Sequence, residues 1–371
     1  MTVAVAGSGA GLRMIVTGGG TGGHLFPGIA VAEAVLERFP GSEVLFVGTE
    51  RLIDRKALAG RRFGVTSIRA RALKGRGLVD KLRGLLQVPL SVIEAMRVIK
   101  GFRPLLVLGV GGYVTGPVVL AARLLGLATA IHEQNSVPGL ANRLLGRLVD
   151  RVLISIPGSE GYFPAGRCVL SGNPVRRDLL ARAEAEAGKE LGASLLVLGG
   201  SQGAHRVNTL VVEALGRLAG ELPEGFRVIH QTGTGDEEWV RERYRELGLS
   251  AEVAAFFDDM ARIYSEAGLV VSRAGATSLA EMTVFGRPAI LIPYPYAADD
   301  HQAGNGRYLV DGGAAVVYRE NELDGATLAV AIGGLMRDRK QRQRMGRRAR
   351  QLARPRATVA IVDELLGLVT A

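Results

Sequence analysis

Four glycine-rich stretches stand where an apolar run gives way to a helical pattern: Gly19 to His24, Gly111 to Pro117, Gly199 to Gly203, and Arg273 to Ser278. Glycine lets backbone N–H groups approach an anion closely, and a helix opening at that point adds partial positive charge. Each stretch is therefore a candidate grip for phosphate. One such helix end contributes about 0.3–1 kcal/mol to an exposed anion and up to about 2 kcal/mol to a partly buried one, so a firmly held diphosphate calls for several. A single loop of this kind is also compatible with a plain tight turn.

The elements that must carry these loops follow the grammar of parallel α/β folds, in which an apolar run, a glycine turn and a helix alternate. Met14 to Thr17 leads into the first loop and a helix from Ile29 to Arg38. Ser194 to Leu198 leads into the third loop and a helix from Val207 to Leu218. Further strands are predicted at Glu43 to Val47, Leu105 to Val110, Thr129 to His132, Arg151 to Ile154, Arg227 to His230, Leu269 to Ser272 and Ala289 to Ile292. The repeated opening points to two Rossmann-like domains, with a hinge near Ser171 to Arg176 and a final helix, interrupted by Pro355, that rejoins the first domain after about residue 357. The expected division is an extension over residues 1–13, a first domain over 14–172 with 357–371, and a second over 173–356. The glycines at 7, 9 and 11 imitate a dinucleotide loop, but a new strand begins too soon after them to leave room for a helix.

Composition bounds the remaining possibilities. The chain has 371 residues, enough for two cores, and 47% of them are hydrophobic. A lone cysteine, Cys168, excludes an internal disulfide and a cysteine-built metal centre. The formal charge of +10 points to anionic partners. Nucleic acid is disfavoured, because no zinc-finger, basic-zipper or ribonucleoprotein motif accompanies the charge. Pro104 to Ala122 is uncharged, but its glycines and Pro117 fit strand, loop and helix better than a membrane span. No acidic residue closes the second strand after the first glycine loop, which demotes nicotinamide chemistry.

Taken together, Gly19 to His24 with Pro27-Gly28, His132-Glu133-Gln134-Asn135 with Pro138-Gly139, Gly172 to Arg176, Gly199 to Ala204, and Arg273 to Glu281 resemble the MurG family of glycosyltransferases. The resemblance runs from about Met14 to the C-terminus. It implies a GT-B fold, α/β, with two facing Rossmann-like domains of parallel strands and a cleft between them. It also implies inverting transfer of GlcNAc from UDP-GlcNAc to the C4 hydroxyl of MurNAc in lipid I, giving lipid II for peptidoglycan. The alternative is another GT-B enzyme of UDP-sugars, a glycolipid transferase or a UDP-GlcNAc 2-epimerase.

Site roles follow from the same resemblance. Ser201, the adjacent amides and the helix opening at Gly275 to Ser278, with Ala276, Thr277 and Ser278, would hold the UDP diphosphate, Leu279 and Ala280 would lie in the same UDP-GlcNAc site, and the carboxylate of Glu281 would take the ribose hydroxyls. The backbone near Phe257 would read the uracil edge. Arg176 would place positive charge near sugar or phosphate, while Thr21, Gly22, Gly23, Asn135 and Gln302 would complete the UDP-GlcNAc contacts. His301 stands where the family often has a glutamine. For the acceptor hydroxyl the favoured base is His24, since histidine exchanges a proton near neutral pH; Glu133 is the rival, and a purely structural role for His24 stays open. Neither cofactor nor metal is expected, and Asp299-Asp300-His301 is read as a sugar-site loop. The expected partners are UDP-GlcNAc, lipid I, an anionic membrane surface and proteins of cell-wall synthesis, which places the chain peripherally on the cytoplasmic face of the cell membrane. Its proposed docking segment, Arg69 to Arg103, interleaves Arg71, Lys74, Arg76, Lys81, Arg83, Arg97 and Lys100 with apolar residues; an ordinary core-facing amphipathic helix is the competing reading.

Overall fold

The computed structural model describes residues 11–20, 22–49, 58–69, 78–200 and 203–370, apart from the side chains of 78–87. The chain divides into a unit of residues 1–176 with 356–371 and a unit of residues 177–355. In the first lie β1 (Arg13–Thr17), α1 (Gly22–Arg38), β2 (Glu43–Gly48), β3 (Gly64–Ser67), α2 (Leu78–Phe102), β4 (Leu106–Gly109), α3 (Thr115–Leu124), β5 (Ala128–Glu133), α4 (Leu140–Leu145), β6 (Arg151–Ile154) and β7 (Cys168–Leu170). The second holds α5 (Arg177–Ala185), β8 (Ser194–Leu198), α6 (His205–Arg217), β9 (Arg227–Gln231), α7 (Glu237–Glu246), β10 (Ala251–Ala254), α8 (Met260–Glu266), β11 (Leu269–Ser272), α9 (Ala276–Phe285), β12 (Ala289–Leu291), α10 (His301–Asp311), β13 (Ala315–Val317), α11 (Gly325–Arg337) and α12 (Arg339–Leu352). The last helix, α13 (Ala357–Thr370), belongs to the first unit.

All strand pairs among the described residues are parallel. The first sheet runs β3-β2-β1-β4-β5-β6-β7 and the second β10-β9-β8-β11-β12-β13, the doubly wound order in which direction reverses at the first strand. Parallel strands covered on both faces must be apolar on both. Accordingly Met14 and Val16 pack with Leu25, Ile29, Ile361 and Leu365 on one side of the sheet. Ile15 packs with Val92, Ala95, Val118 and Val119 on the other. The helix α13 is held mainly by burial of Ile361, Val362 and Leu365, worth roughly 1.5–3 kcal/mol each in gross transfer energy. Its exposed ion pair between Arg38 and Asp363 adds about 1 kcal/mol at most.

Three local expectations change. Within the expected extension over residues 1–13, Leu12 is buried, its N–H donates to Ser42 Oγ at 2.9 Å, and Arg13 opens β1. The first helix begins at Gly22 rather than Ile29. Pro27-Gly28 lies inside this helix, where Gly28 is a packing contact: a Cβ there would lie 3.0 Å from Val110 and 3.1 Å from Phe46 and Val16. Finally, β3, β7, β10 and β13 escape the sequence pattern, since they are short and lie at or near the sheet margins, where apolar content is not enforced; Val65 in β3 is 50% exposed.

Candidate active site

In the first unit the strand order reverses between β1 and β4, the place where a doubly wound sheet leaves a crevice beyond its carboxyl ends. The glycine loops that follow these two strands interlock. Val110 N–H donates to Thr17 O at 2.8 Å, and a Cβ on Gly112 would lie 2.3 Å from Gly19 O. A Cβ on Gly111, where φ is +105°, would meet His24 Nδ1 at 2.5 Å, so the imidazole lies flush against this loop. His24 is half-buried in the first turn of α1. Its Nδ1 is 3.1 Å from Gln134 Oε1.

Gln134 stands just beyond β5. Its Nε2 is 2.8 Å from Val110 O and 2.9 Å from His132 Nδ1, and His132 Nε2 is 3.0 Å from Gly172 O. Burial pushes the His132 imidazole well below the usual range, to about 4, so it is neutral near pH 7. Glu133 points its carboxylate elsewhere: Oε1 accepts the backbone N–H of Asn135 at 2.9 Å and its Nδ2 at 3.1 Å, while Oε2 accepts Asn142 Nδ2 at 2.8 Å. With 2% of Glu133 exposed, this carboxylate fastens the turn after β5 to α4. Arg176, at the end of the unit's first stretch, lies over the Phe26 ring at 6.0 Å.

The second unit repeats the arrangement between β8 and β11. Gly275 is the N-cap of α9 and offers no side chain to its first turn, whose N–H groups lack intrahelical acceptors. The first intrahelical bond runs from Leu279 N–H to Gly275 O at 3.0 Å, and the Leu279 side chain is core. Ala276, Thr277 and Ser278 thus form the first turn of the helix, with Ala280 and Glu281 one turn on. Glu281 is half-buried and accepts from Tyr264 Oη at 3.0 Å. Gln302 Oε1 accepts from Ala274 N–H at 3.2 Å and Tyr294 N–H at 2.9 Å, which leaves its amide hydrogens unused among the described residues. Phe257 is buried, and Gln231 Oε1 accepts its N–H at 3.1 Å, so a ligand beside it would meet its carbonyl rather than its N–H.

The candidate residues fall into two sets. Gly22, Gly23, His24, Glu133, Asn135 and Arg176 belong to the first unit. Phe257, Ala276 to Glu281 and Gln302 belong to the second. Thr21 and Ser201 lie outside the described residues, as do Arg71, Lys74 and Arg76 and the side chains of Lys81 and Arg83. In the Asp299-Asp300-His301 turn, Asp300 pairs with Arg319 at 2.7 Å and His301 Nδ1 donates to Ala298 O at 2.7 Å. Asp299 and Asp300 both hold left-handed backbone, at φ +53° and +52°, directly before α10. Among the described residues no group of three or more His, Cys, Asp or Glu gathers as a metal site. Nor is any helix long and apolar enough to cross a membrane.

Sequence reasoning passed over Gln231 and Tyr264, quoted Gln134 only as part of a motif without giving it a role, and took Gly111 for a phosphate loop rather than the seat of the His24 ring. A signal existed for Gln134, because His132 and Gln134 are two apart at a strand end and so share one face.

Residues 14–154 match the glycosyltransferase family 28 N-terminal domain, and residues 194–360 the C-terminal domain of the same family. A UDP-N-acetylglucosamine–N-acetylmuramyl-(pentapeptide) pyrophosphoryl-undecaprenol N-acetylglucosamine transferase of Desulfotalea psychrophila is 49% identical, over 94% of this chain and 95% of its own. Its namesake from Anaeromyxobacter sp. (strain Fw109-5) is 46% identical over 96% and 94%. The crystal structure of Acinetobacter baumannii MurG superposes with a TM-score of 0.78 at 33% identity, covering 96% of this chain and 99% of that one. With both domain types matched and relatives this close over nearly its whole length, the chain belongs to glycosyltransferase family 28, within the group of MurG N-acetylglucosamine transferases.

Proposed function

We propose that this chain transfers GlcNAc from UDP-GlcNAc to the C4 hydroxyl of MurNAc in undecaprenyl-pyrophosphoryl-MurNAc-pentapeptide, converting lipid I to lipid II. The acceptor oxygen attacks the anomeric carbon as the bond from that carbon to the diphosphate breaks. The hydroxyl proton passes to His24, UDP departs with the bonding pair, and the new linkage is β-1,4 with inversion. His24 is preferred as base over Glu133, because both oxygens of Glu133 are engaged by Asn135 and Asn142. The observation that carries the donor role is the N-terminus of α9, without a side-chain cap, at the strand-order reversal of the second sheet. It suits the diphosphate, with Glu281 toward the ribose and Gln302 toward the sugar.

Because the acceptor is a polyprenyl lipid, the first unit would dock on the anionic, cytoplasmic surface of the cell membrane. On α2, Val92, Ala95 and Ile99 are core, whereas Leu90, Ile93, Arg97 and Lys100 form a separate exposed row. Incubation with radiolabelled UDP-GlcNAc and a lipid I analogue, followed by linkage analysis, tests the reaction. A β-1,4-linked disaccharide lipid is expected, and a free UDP-ManNAc product would favour the epimerase alternative.

A further inference from the structure

We infer that Gln134, backed by His132, is a positioning residue that locks the His24 imidazole in the tautomer bearing its proton on Nδ1, so that Nε2 is the nitrogen able to accept a proton. The inference rests on reading His24 as the base.

The polarity is fixed by backbone carbonyls, which can only accept. Val110 O is 2.8 Å from the Gln134 nitrogen, so that atom must be the amide NH₂; a flipped side chain would set two oxygens against each other. The amide oxygen is thereby turned to His24 Nδ1, 3.1 Å away. An amide oxygen carries no hydrogen, and the proton of this contact must sit on Nδ1. In a neutral imidazole the other nitrogen is then bare.

The far end of the chain gives the same direction independently. His132 Nε2 is 3.0 Å from Gly172 O and therefore donates, with Ser155 Oγ 3.1 Å away as a second acceptor. His132 Nδ1 is consequently bare and accepts the second amide hydrogen of Gln134 at 2.9 Å. Gly172 O, His132, Gln134 and His24 thus form one directed series, with Val110 O as its side anchor. Because burial keeps His132 neutral near pH 7, the series does not reverse under working conditions.

Its members stand on neighbouring strands. Gln134 and His132 come from the end of β5, Val110 from the end of β4, and His24 from the helix after β1. A base held this way is rigid before substrate arrives. Gly111 supports it, since any larger residue would displace the ring. Among the described residues Nε2 of His24 has no hydrogen-bond partner, which leaves it open to an acceptor hydroxyl.

The test is the ¹⁵N spectrum of the imidazole rings in the full-length protein, with His24 assigned by difference against His24→Gln. A protonated Nδ1 and a bare Nε2 are expected, and a bare Nδ1 in the unmodified protein overturns the inference without recourse to any variant. Gln134→Met should mix the two tautomers and lower kcat about tenfold or more, leaving KM for UDP-GlcNAc within about twofold. A defect confined to stability, with kcat intact, would make Gln134 merely structural. Protonation at Nδ1 combined with normal kcat in His24→Gln would instead sink the base assignment while the tautomer stands, so the two failures are separable.

Discussion

Gln302 accepts the backbone N–H of Tyr294 at 2.9 Å through the same side-chain oxygen that accepts that of Ala274, so one residue joins the loops leaving β11 and β12. Its NH₂ has no acceptor among the described residues, which fits the proposed sugar contact. Gln302→Glu keeps the acceptor and loses the donor, and it should raise KM for UDP-GlcNAc about tenfold with the fold intact, as loss of a ligand hydrogen bond implies. Gln302→Leu should in addition lower stability by about 1–3 kcal/mol, since it strands two N–H groups. Equal donor KM in wild type and Gln302→Glu, measured by initial rates, would remove the sugar contact.

Glu281→Ala should act mainly on KM for UDP-GlcNAc, because a ribose contact is made equally in ground and transition states. The Tyr264 hydroxyl bonded to Glu281 complicates the reading, for it is buried and loses this bond in the variant. Tyr264→Phe separates the two effects. It should reduce stability by about 1 kcal/mol and leave donor KM within about twofold. A comparable KM rise in both variants would mean that Glu281 serves the fold alone.

Turnover should survive EDTA. The leaving diphosphate is assigned to helix N-termini and Arg176, which carry positive charge without a divalent ion. The check is the rate after exhaustive chelation, and a complete loss restored by Mg²⁺ would refute the assignment.

Acid should weaken the fold through two buried histidines. Burial lowers His132 to about 4 and His230 to about 3, against about 6.5 for an unfolded chain. Below 6.5 the unfolded chain binds the extra protons. The stabilisation is therefore complete above about pH 6.5 and is lost as pH falls toward 4, by up to about 1.4 kcal/mol per pH unit for each histidine. His132 belongs to the first unit and His230 to the second, so urea unfolding should show both units weaker at pH 5 than at pH 7.5. Midpoints that do not move would contradict neutral burial.

The proposed membrane docking would have two separable components. Replacing Lys74, Arg76, Lys81 and Arg83 with Gln should weaken binding to anionic vesicles, by about 1 kcal/mol for each group near the surface, and should flatten its salt dependence. Leu90→Ser with Ile93→Ser should weaken binding while preserving the salt dependence. Neither change should alter activity on a short-chain soluble acceptor by more than about twofold, whereas activity on long-chain lipid I should fall. Equal losses on both acceptors would reassign these residues to the fold or the acceptor diphosphate.

The basic composition has a further explanation inside the molecule. Arg287 donates to Ala267 O and Ser265 O, Arg342 to Leu335 O, Met336 O and Gly192 O, and Arg350 to Ala183 O, Glu186 O and Phe285 O. Part of the charge therefore ties backbone carbonyls within the second unit. Net charge alone could not separate these arginines from ones facing a membrane, because formal charge counts groups and says nothing of their partners.

The sequence by itself determined what local physics controls. Central parallel strands such as Met14 to Val16 and Leu195 to Val197 must be apolar on both faces, and loops at strand ends need glycine where φ is positive, so both leave marks in consecutive residues. The margin strand β3 leaves no such mark, since solvent accepts its side chains. Gly28 shows the limit of such marks, because a glycine kept for close helix–sheet packing looks the same in sequence as one kept for a turn. The state of His24 is beyond any local pattern. Its proton is directed by Gln134, 110 positions away, whose amide is oriented by Val110 O and by His132, itself fixed by Gly172 O. The sequence names every donor and acceptor in that series, but only the strand order brings them within 3.1 Å of one another, and a hydrogen bond has a direction only once its partner is in place.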